Sequence, residues 1–518
     1  MLLGAVWFRC RSLENIPGIN GDEAWYGARA MAILHGQERL LVATPTGNPP
    51  NFLFLVPTIL LHLVFRPSIV LLRSVAVAGG LAALLLNWYL CRWVFDGRTA
   101  AISTLALAVL PVNIAYSRFA WDASQSLAAT LPVLYFSLAA VRFPRHGGRM
   151  LIAAAAAQIV AFWVHPTNIL ICPAIAAAAI AAAPWREFRR RGIGNLLRRR
   201  TTWGAALLGI LIAAAAVPWL HGSAFPRAAQ RMAQVQQLFN VPNMVRCAAL
   251  YPRLLTGESI YRYIPGTHSW LLWPAVEDTN HWGIDVILVW GCLAAAVAIL
   301  WPQRDAEHAA PDRVLLSAWA LVLAAFLMLA GTPALTPGYE RFALSLVAPT
   351  ILLAARGAAR LAAKSPAWNV AVPLAATILG WTLLADFQRH YFDFQEQTGG
   401  NSHLAFRTGP IEPKHAALAS ILRQRVAGDV WIVAGQWWNY WPLRYLAAAE
   451  PGLHVVTPLQ SAALPTDAAI VQGRAWYVEF CGTEELAQAE SRLKGRTVVR
   501  QDFPDFAGRP VLRLLYPQ

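Results

Sequence analysis

The chain has 518 residues, 57% of them hydrophobic and only 14% charged, with a mean hydropathy of +0.43. Soluble domains carry about 25% charged residues, which excludes an ordinary soluble chain, and 22 Trp with 21 Phe exclude a disordered one. The net charge of +15 is nearly all arginine, and its densest run, Arg186 to Arg200, lies between two apolar stretches. The positive-inside bias of a polytopic membrane protein produces that pattern, so a lipid bilayer, and no nucleic acid, is the expected partner.

From the N-terminus, Met1–Phe8 is apolar but stops at Arg9, short of the about 20 residues a span requires. It lacks the basic start and long apolar core of a secretory signal, so a first span cut short is expected. Asn51–Phe65 is also short and contains Pro57. Spans are predicted at Ile69–Leu90, Thr99–Tyr116, Ser124–Val141, Thr201–Trp219, Ile284–Trp301, Val314–Gly331, Phe342–Leu361 and Ala367–Leu384. Met150–Ala183 is too long for one span and is expected to break at His165-Pro166 into two short helices, giving about eleven or twelve membrane segments in all. Ala228–Phe239 reads as an amphipathic helix on the external surface, placed to line a donor or acceptor groove.

Charge sets the orientation. With the Arg186–Arg200 loop cytoplasmic, Arg142–Arg149, Arg304–Arg313 and Arg356–Lys364 fall on the same side, as the bias requires. The loop around Asp122, the stretch His221–Gly283 and everything after Leu384 then lie outside. Three apolar segments separate Asp22 from Asp122, an odd number, which would put the two on opposite faces. A re-entrant or interfacial Asn51–Phe65 restores the parity, and its length and proline favour that reading.

The expected fold is therefore mainly α. A polytopic membrane domain spans 1–386, with external loops 9–50 and 220–283, and an extracytoplasmic α/β domain spans 387–518. In the second, Asp429–Ala434, Leu453–Thr457, Arg474–Phe480, Arg496–Phe503 and Val511–Tyr516 are strand-like, and Thr483–Lys494 is helical with Thr483 at its start. Alternation of the two predicts a small, partly parallel sheet. Six scattered cysteines without a CxxC pair imply neither a metal site nor a disulfide framework.

The residues that carry chemistry begin with Ile16–Gly36, where Asp22-Glu23 precedes an amphipathic helix. The macrodipole favours acidic residues there by about 0.3–1 kcal/mol each, so Asp22 reads equally as a helix cap or as a placed carboxylate. PGINGDEAWYGARAMAILHG, read from Pro17, resembles the N-terminal signature of family 39 glycosyltransferases, the lineage of the protein O-mannosyltransferases and lipid A aminoarabinose transferases in the multi-span C superfamily. Further matches follow in order: Gly47-Asn48-Pro49-Pro50, Arg118-Phe-Ala-Trp-Asp122 as a second acidic motif, and Glu340-Arg341-Phe342 with Pro349. Together they cover about Ile16 to Leu361. Asn48 stands where the aminoarabinose branch carries a lysine, which argues against that sugar.

The resemblance implies a C-superfamily fold and sugar transfer from a polyprenyl-phosphate donor to a lipid, glycan or protein acceptor on the external face of the cell membrane. Asp22 is then the general base for the acceptor hydroxyl, acting with inversion, with Glu23 and Asp122 beside it as catalytic residues. Arg341 is the first candidate for the donor phosphate, with Arg118 and Arg262 as weaker ones, since a guanidinium can fork onto phosphate oxygens. Tyr26 and His165 are substrate-side candidates, although His165 also reads as a polar turn. A hard divalent ion would find oxygen ligands in Asp22, Glu23 and Asp122, and metal dependence stays open. His62 is expected to pack inside. Trp437, Trp438, Tyr440 and Trp441 read as sugar-stacking or, preferentially, as a membrane-interface cluster. The rival readings are a lipid-linked glycan transporter, which would favour ionisable residues at mid-span, and a catalytically inactive family member.

Overall fold

The computed structural model describes residues 2–44, 50–182, 241–257, 260–261, 282–301, 309–329, 340–398, 413–425, 427–458, 465–504 and 510–518. Asn48, the Arg186–Arg200 run, Thr201–Trp219, Ala228–Phe239 and Arg262 lie outside the described residues. The N-terminal half builds α1 (Leu2–Cys10), α2 (Gly21–Leu34), α3 (Phe52–His62), α4 (Ile69–Val94), α5 (Gly97–Val109), α6 (Pro111–Tyr116), α7 (Ser126–Arg142), α8 (Gly147–Val164) and α9 (Pro173–Ala182). The membrane part continues with α10 (Val241–Thr256), α11 (Trp282–Leu300), α12 (Ala309–Leu329), α13 (Leu344–Ala362) and α14 (Pro366–Phe387).

Among the described residues, six helical stretches are long and apolar enough to cross a membrane. They are Ile69–Val94, Ala123–Arg142, Pro144–Val164, Ala310–Met328, Leu344–Ala362 and Pro366–Glu396. The protein is thus a multi-pass membrane protein. α7 and α13 are buried almost all round and form the centre, whereas α8 and α14 leave most of their apolar surface exposed, as helices facing lipid do.

Local chemistry explains the breaks. The single span predicted at Thr99–Tyr116 is divided into α5 and α6 because Pro111 has no N–H to continue the ladder. Met150–Ala183 breaks at His165-Pro166, as expected, into α8, a 3₁₀ segment Pro166–Ile171 and α9. α14 runs past the predicted domain border at 386, through a π-helical turn at Gln388–Asp393, into the short helix α15 (Phe394–Thr398).

Two sets of contacts mark opposite ends of the bundle. At one end Arg356 of α13 donates through Nε to Asp312 of α12 at 2.8 Å and bonds Asp96, the N-cap of α5, while Arg360 donates to Asp312 at 2.9 Å. At the other end lie Ser68, the N-cap of α4, and His165. α3, on which the parity turns, has 11 residues, too few to cross as a single helix. Asn51 at its start donates to Gln125 at 3.2 Å, and His62 at its end meets Tyr445 at 3.0 Å, beside Ser68, which donates to the same Tyr445 hydroxyl.

The C-terminal domain contains α16 (Pro413–Gln424), β1 (Val430–Val433), α17 (Trp437–Leu446), β2 (Leu453–Val456), α18 (Asp467–Val471), β3 (Ala475–Phe480), α19 (Glu484–Arg492), β4 (Val498–Pro504) and β5 (Pro510–Pro517). Every predicted strand is present. The sheet order is β2-β1-β3-β5-β4, with β1 parallel to β2 and β3 and the other pairs antiparallel. β3 is buried along its whole length, which a strand covered on both faces requires. Thr483 caps α19 by accepting from the Leu486 N–H at 3.4 Å. The apolar core continues from this sheet through α17 into α2, α3 and α4, so the domain is docked on the membrane part through shared packing.

Candidate functional site

The site is built on the head of α2. Asn20 is its N-cap: the side-chain oxygen accepts from the N–H groups of Asp22 at 2.7 Å and Glu23 at 3.4 Å, and Glu23 reaches back to the Asn20 N–H at 3.1 Å. This closes a capping box. The cap reading of Asp22 is therefore withdrawn: Asn20 does that work, and the Asp22 carboxylate points elsewhere. Its Oδ1 accepts a 2.8 Å hydrogen bond from the Trp437 indole N–H, across 415 positions of chain.

Glu23, expected beside Asp22 as a catalytic residue, is fully buried, and Arg73 of α4, equally buried, grips it through Nε at 2.9 Å and Nη2 at 2.7 Å. The Ala120 N–H donates to Glu23 Oε1 at 2.8 Å. Arg73 spends its remaining donors on the carbonyls of Leu13, Pro17 and Gly18, so one ion pair fastens the loop before α2, the head of α2, α4 and the segment leading to Asp122. Sequence reasoning missed Arg73. A lone arginine within the apolar run Ile69–Leu90 was the available signal, since ionisable groups in spans are rare and paired.

Asp122 opens a 3₁₀ turn, Asp122–Gln125, ahead of α7. It does not occupy the N-cap position of that helix, which belongs to Gln125; the Asp122 side chain lies outside the described part of the structure. The preceding Trp121 stacks on Tyr116 and carries the Arg341 guanidinium 4.8 Å from its ring centroid, a cation–π geometry. Arg341 sits half-buried in the 3₁₀ turn Glu340–Ala343 that leads into α13. Its carbonyl oxygen lies 3.3 Å from the Thr167 hydroxyl, which also bonds His165 Nδ1. Burial, with Arg341 nearby, pushes His165 down to about 3. It is a neutral imidazole at any physiological pH, fit to donate or accept a hydrogen bond and unfit to carry charge. Thr167 was not anticipated.

The structure gives Arg118 and Tyr26 packing partners. Arg118 is fully buried and donates to the carbonyls of Phe8 and Ile16, with its guanidinium 4.7 Å from the Phe392 ring centroid. It ties α1 to the loop before α2. Tyr26 is buried between Trp25 and Phe54, with ring centroids 4.9 and 5.3 Å away, and packs α2 on α3. His62 packs inside, as expected, between the Thr58 carbonyl and the Tyr445 hydroxyl. Two residues of the aromatic cluster of α17 face α2: Trp437 bonds Asp22, and Trp441 lies edge-on to Trp25 at 6.4 Å.

That docking is close. A Cβ on Gly21 would stand 2.5 Å from Trp437 Cδ1, and one on Gly27 would stand 2.5 Å from Tyr445 Cδ2, so both positions require glycine for α17 to lie along α2. At the far end of α2, a cleft of about 360 Å³ opens between His35 and Gln37 on one side and Arg444, Glu450 and His454 on the other. It is lined by Tyr440 but by none of the residues expected to act in catalysis or phosphate binding. Among the described residues, no group of three His, Cys, Asp or Glu side chains is arranged to hold a metal ion. With Glu23 committed to Arg73, only Asp22 and Asp122 remain of the oxygen ligands considered. The residues brought together are thus Asp22, Trp437, the 120–122 segment, Arg341, His165 and Thr167: one carboxylate, one cation and neutral hydrogen-bonding groups at one end of the bundle.

No protein-family model and no curated protein sequence matches the chain. Solved structures do. ArnT from Cupriavidus metallidurans bound to undecaprenyl phosphate superposes with a TM-score of 0.54 at 14% identity, covering 98% of this chain and 96% of that one. The Archaeoglobus fulgidus oligosaccharyltransferase in complex with Zn and sulfate gives 0.50 at 14% identity, over 92% of this chain and 67% of the other. What this chain shares with both is the fold, over more than nine-tenths of its length.

Proposed function

We propose that this protein is a membrane glycosyltransferase that moves a sugar from a polyprenyl-phosphate donor to an acceptor hydroxyl at the end of the bundle where α2 lies, outside the cytoplasm. The observation that carries the reading is Asp22. It stands at the head of α2, where Asn20 supplies the cap, its Oδ1 accepts from the Trp437 indole of the docked domain, and its neighbour Glu23 bonds the Ala120 N–H ahead of Asp122. ArnT, with the same fold over almost the whole chain, was solved with undecaprenyl phosphate, which supports a lipid phosphate as the donor's carrier.

In this mechanism Asp22 accepts the proton of the acceptor hydroxyl as its oxygen attacks the anomeric carbon. The bond from that carbon to the phosphate oxygen breaks on the opposite face, and the configuration inverts. The leaving phosphate keeps the electron pair, and Arg341, fixed over Trp121, offsets the charge that develops on it. His165, neutral, orients the neighbouring Thr167 hydroxyl or a sugar hydroxyl. Asp122 supports this constellation from the 3₁₀ turn. A divalent ion is not needed for any of these steps.

The test is glycan and lipid profiling of cells that express the wild type or Asp22→Ala at matched protein level. Loss of one sugar modification by about 10²-fold or more is expected for removal of a general base. An unchanged profile, with the variant present in the membrane, would overturn the assignment and favour transport of a lipid-linked glycan or an inactive scaffold.

A further inference from the structure

We propose that Trp437 of the C-terminal domain is a positioning residue for the Asp22 base, so that the active site of the membrane domain is completed by a residue from the domain docked on it. This rests on the assignment of Asp22 as base.

An indole N–H can only donate. Its 2.8 Å bond to Asp22 Oδ1 therefore favours the ionised carboxylate and fixes its plane, which a base must hold to meet a hydroxyl in line with the anomeric carbon. The indole is itself held. It begins α17, whose first turn is closed by reciprocal bonds between Gln436 and Asn439. Gly435 and Asn439 both donate to the buried Glu479 of β3, and Trp441 lies edge-on to Trp437 at 5.4 Å. From the other side Gly21 offers no Cβ, which would otherwise occupy the space of the indole. Titratable groups near the pair include Glu23 and Arg73, bonded to each other, and Glu479 and Glu485 behind the turn of α17.

The test uses purified full-length wild type, Trp437→Phe, Trp437→His and Asp22→Asn. The first readout needs no substrate: carbodiimide-driven coupling of glycine ethyl ester to Asp22 across pH, quantified on the Asp22 peptide by mass spectrometry. Trp437→Phe keeps the ring and deletes the donor, and it should raise the pH of half-coupling by about one unit. Trp437→His restores a donor and should recover part of that shift. The second readout is the sugar modification in cells, expected to fall about tenfold in Trp437→Phe at equal protein level, the worth of one hydrogen bond to a charged group.

An unchanged half-coupling pH in Trp437→Phe overturns the proposal, whether or not product falls, because a merely structural role would lower product without moving the titration. Should Trp437→Phe not accumulate, Trp437→Leu, which also lacks a donor, takes its place, and an unchanged half-coupling pH there is again contrary. Asp22→Asn separates the two readings. Full product from Asp22→Asn sinks the base assignment, whereas lost product there with a wild-type Trp437→Phe sinks the role of Trp437 alone.

Discussion

At the head of α2, Glu23 is sealed from solvent with Arg73, and removing one member of such a pair strands the other charge in the interior. Glu23→Gln is therefore expected to destabilise the protein by about 3–5 kcal/mol. Asp22→Ala, which loses the bond to Trp437, should cost about 1 kcal/mol. Thermal unfolding of the purified variants, followed by recovery of monodisperse protein, reads the difference: a large drop for the first and a small one for the second. Equal drops would mean that Asp22 is structural as well. At this scale the sequence was informative about type and poor about role. The Asn20-x-x-Glu23 spacing is a capping-box signature and would have freed Asp22 from the cap reading, had the pair been read together. Nothing local could show that Arg118 turns to the carbonyls of Phe8 and Ile16, or that Arg73 takes up Glu23, because those partners are set by how helices distant in sequence pack.

Among elements, the contact between β3 and α17 makes a pH prediction. Glu479 on β3 accepts from Gly435 and Asn439 at the first turn of α17, and burial pushes its carboxyl up from 4.5 to about 8, with Glu485 adding to the shift. A folded-state value above the unfolded one means that the stabilisation is complete below about pH 4.5 and is lost as pH rises towards 8. The slope is about 1.4 kcal/mol per pH unit within that window. In Glu479→Gln this slope should vanish, so the wild-type melting temperature falls between pH 5 and pH 8 more steeply than that of the variant. Parallel curves would show that Glu479 is ionised in the fold. Element types were legible in the sequence for the sheet, because alternation and turn residues are local signals. α17 was not. Its aromatic face looks like a membrane-interface belt until Gly21 and Gly27 are seen to admit Trp437 and Tyr445 against α2.

For the whole molecule, one-sidedness is the property on which the proposed chemistry depends. Asp22 bonds Trp437, Glu23 bonds Ala120, Arg341 lies over Trp121 and its carbonyl meets Thr167 beside His165, so α2, the 118–122 motif, His165, Arg341 and the C-terminal domain share one end of the bundle. Arg356, Arg360, Asp312 and Asp96 share the other. The short basic loops flank this second end, Arg142 closing α7 and Lys364 following α13, and the positive-inside bias assigns that end to the cytoplasm. Composition made the membrane class legible before any contact was known, and the charge bias gives the orientation as an expectation for experiment. Cysteine labelling tests it. In a variant with the exposed cysteines Cys10, Cys172 and Cys292 and the half-buried Cys481 replaced, Lys494→Cys should react with a membrane-impermeant maleimide in intact cells. Lys364→Cys should react only after permeabilisation, and both lysines are exposed. The reverse pattern would turn the α2 end to the cytoplasm, where soluble nucleotide sugars are at hand and a lipid-phosphate carrier would be superfluous. Reaction of both in intact cells would place the two ends on one side, which no arrangement of α4 and α13 as crossing helices permits.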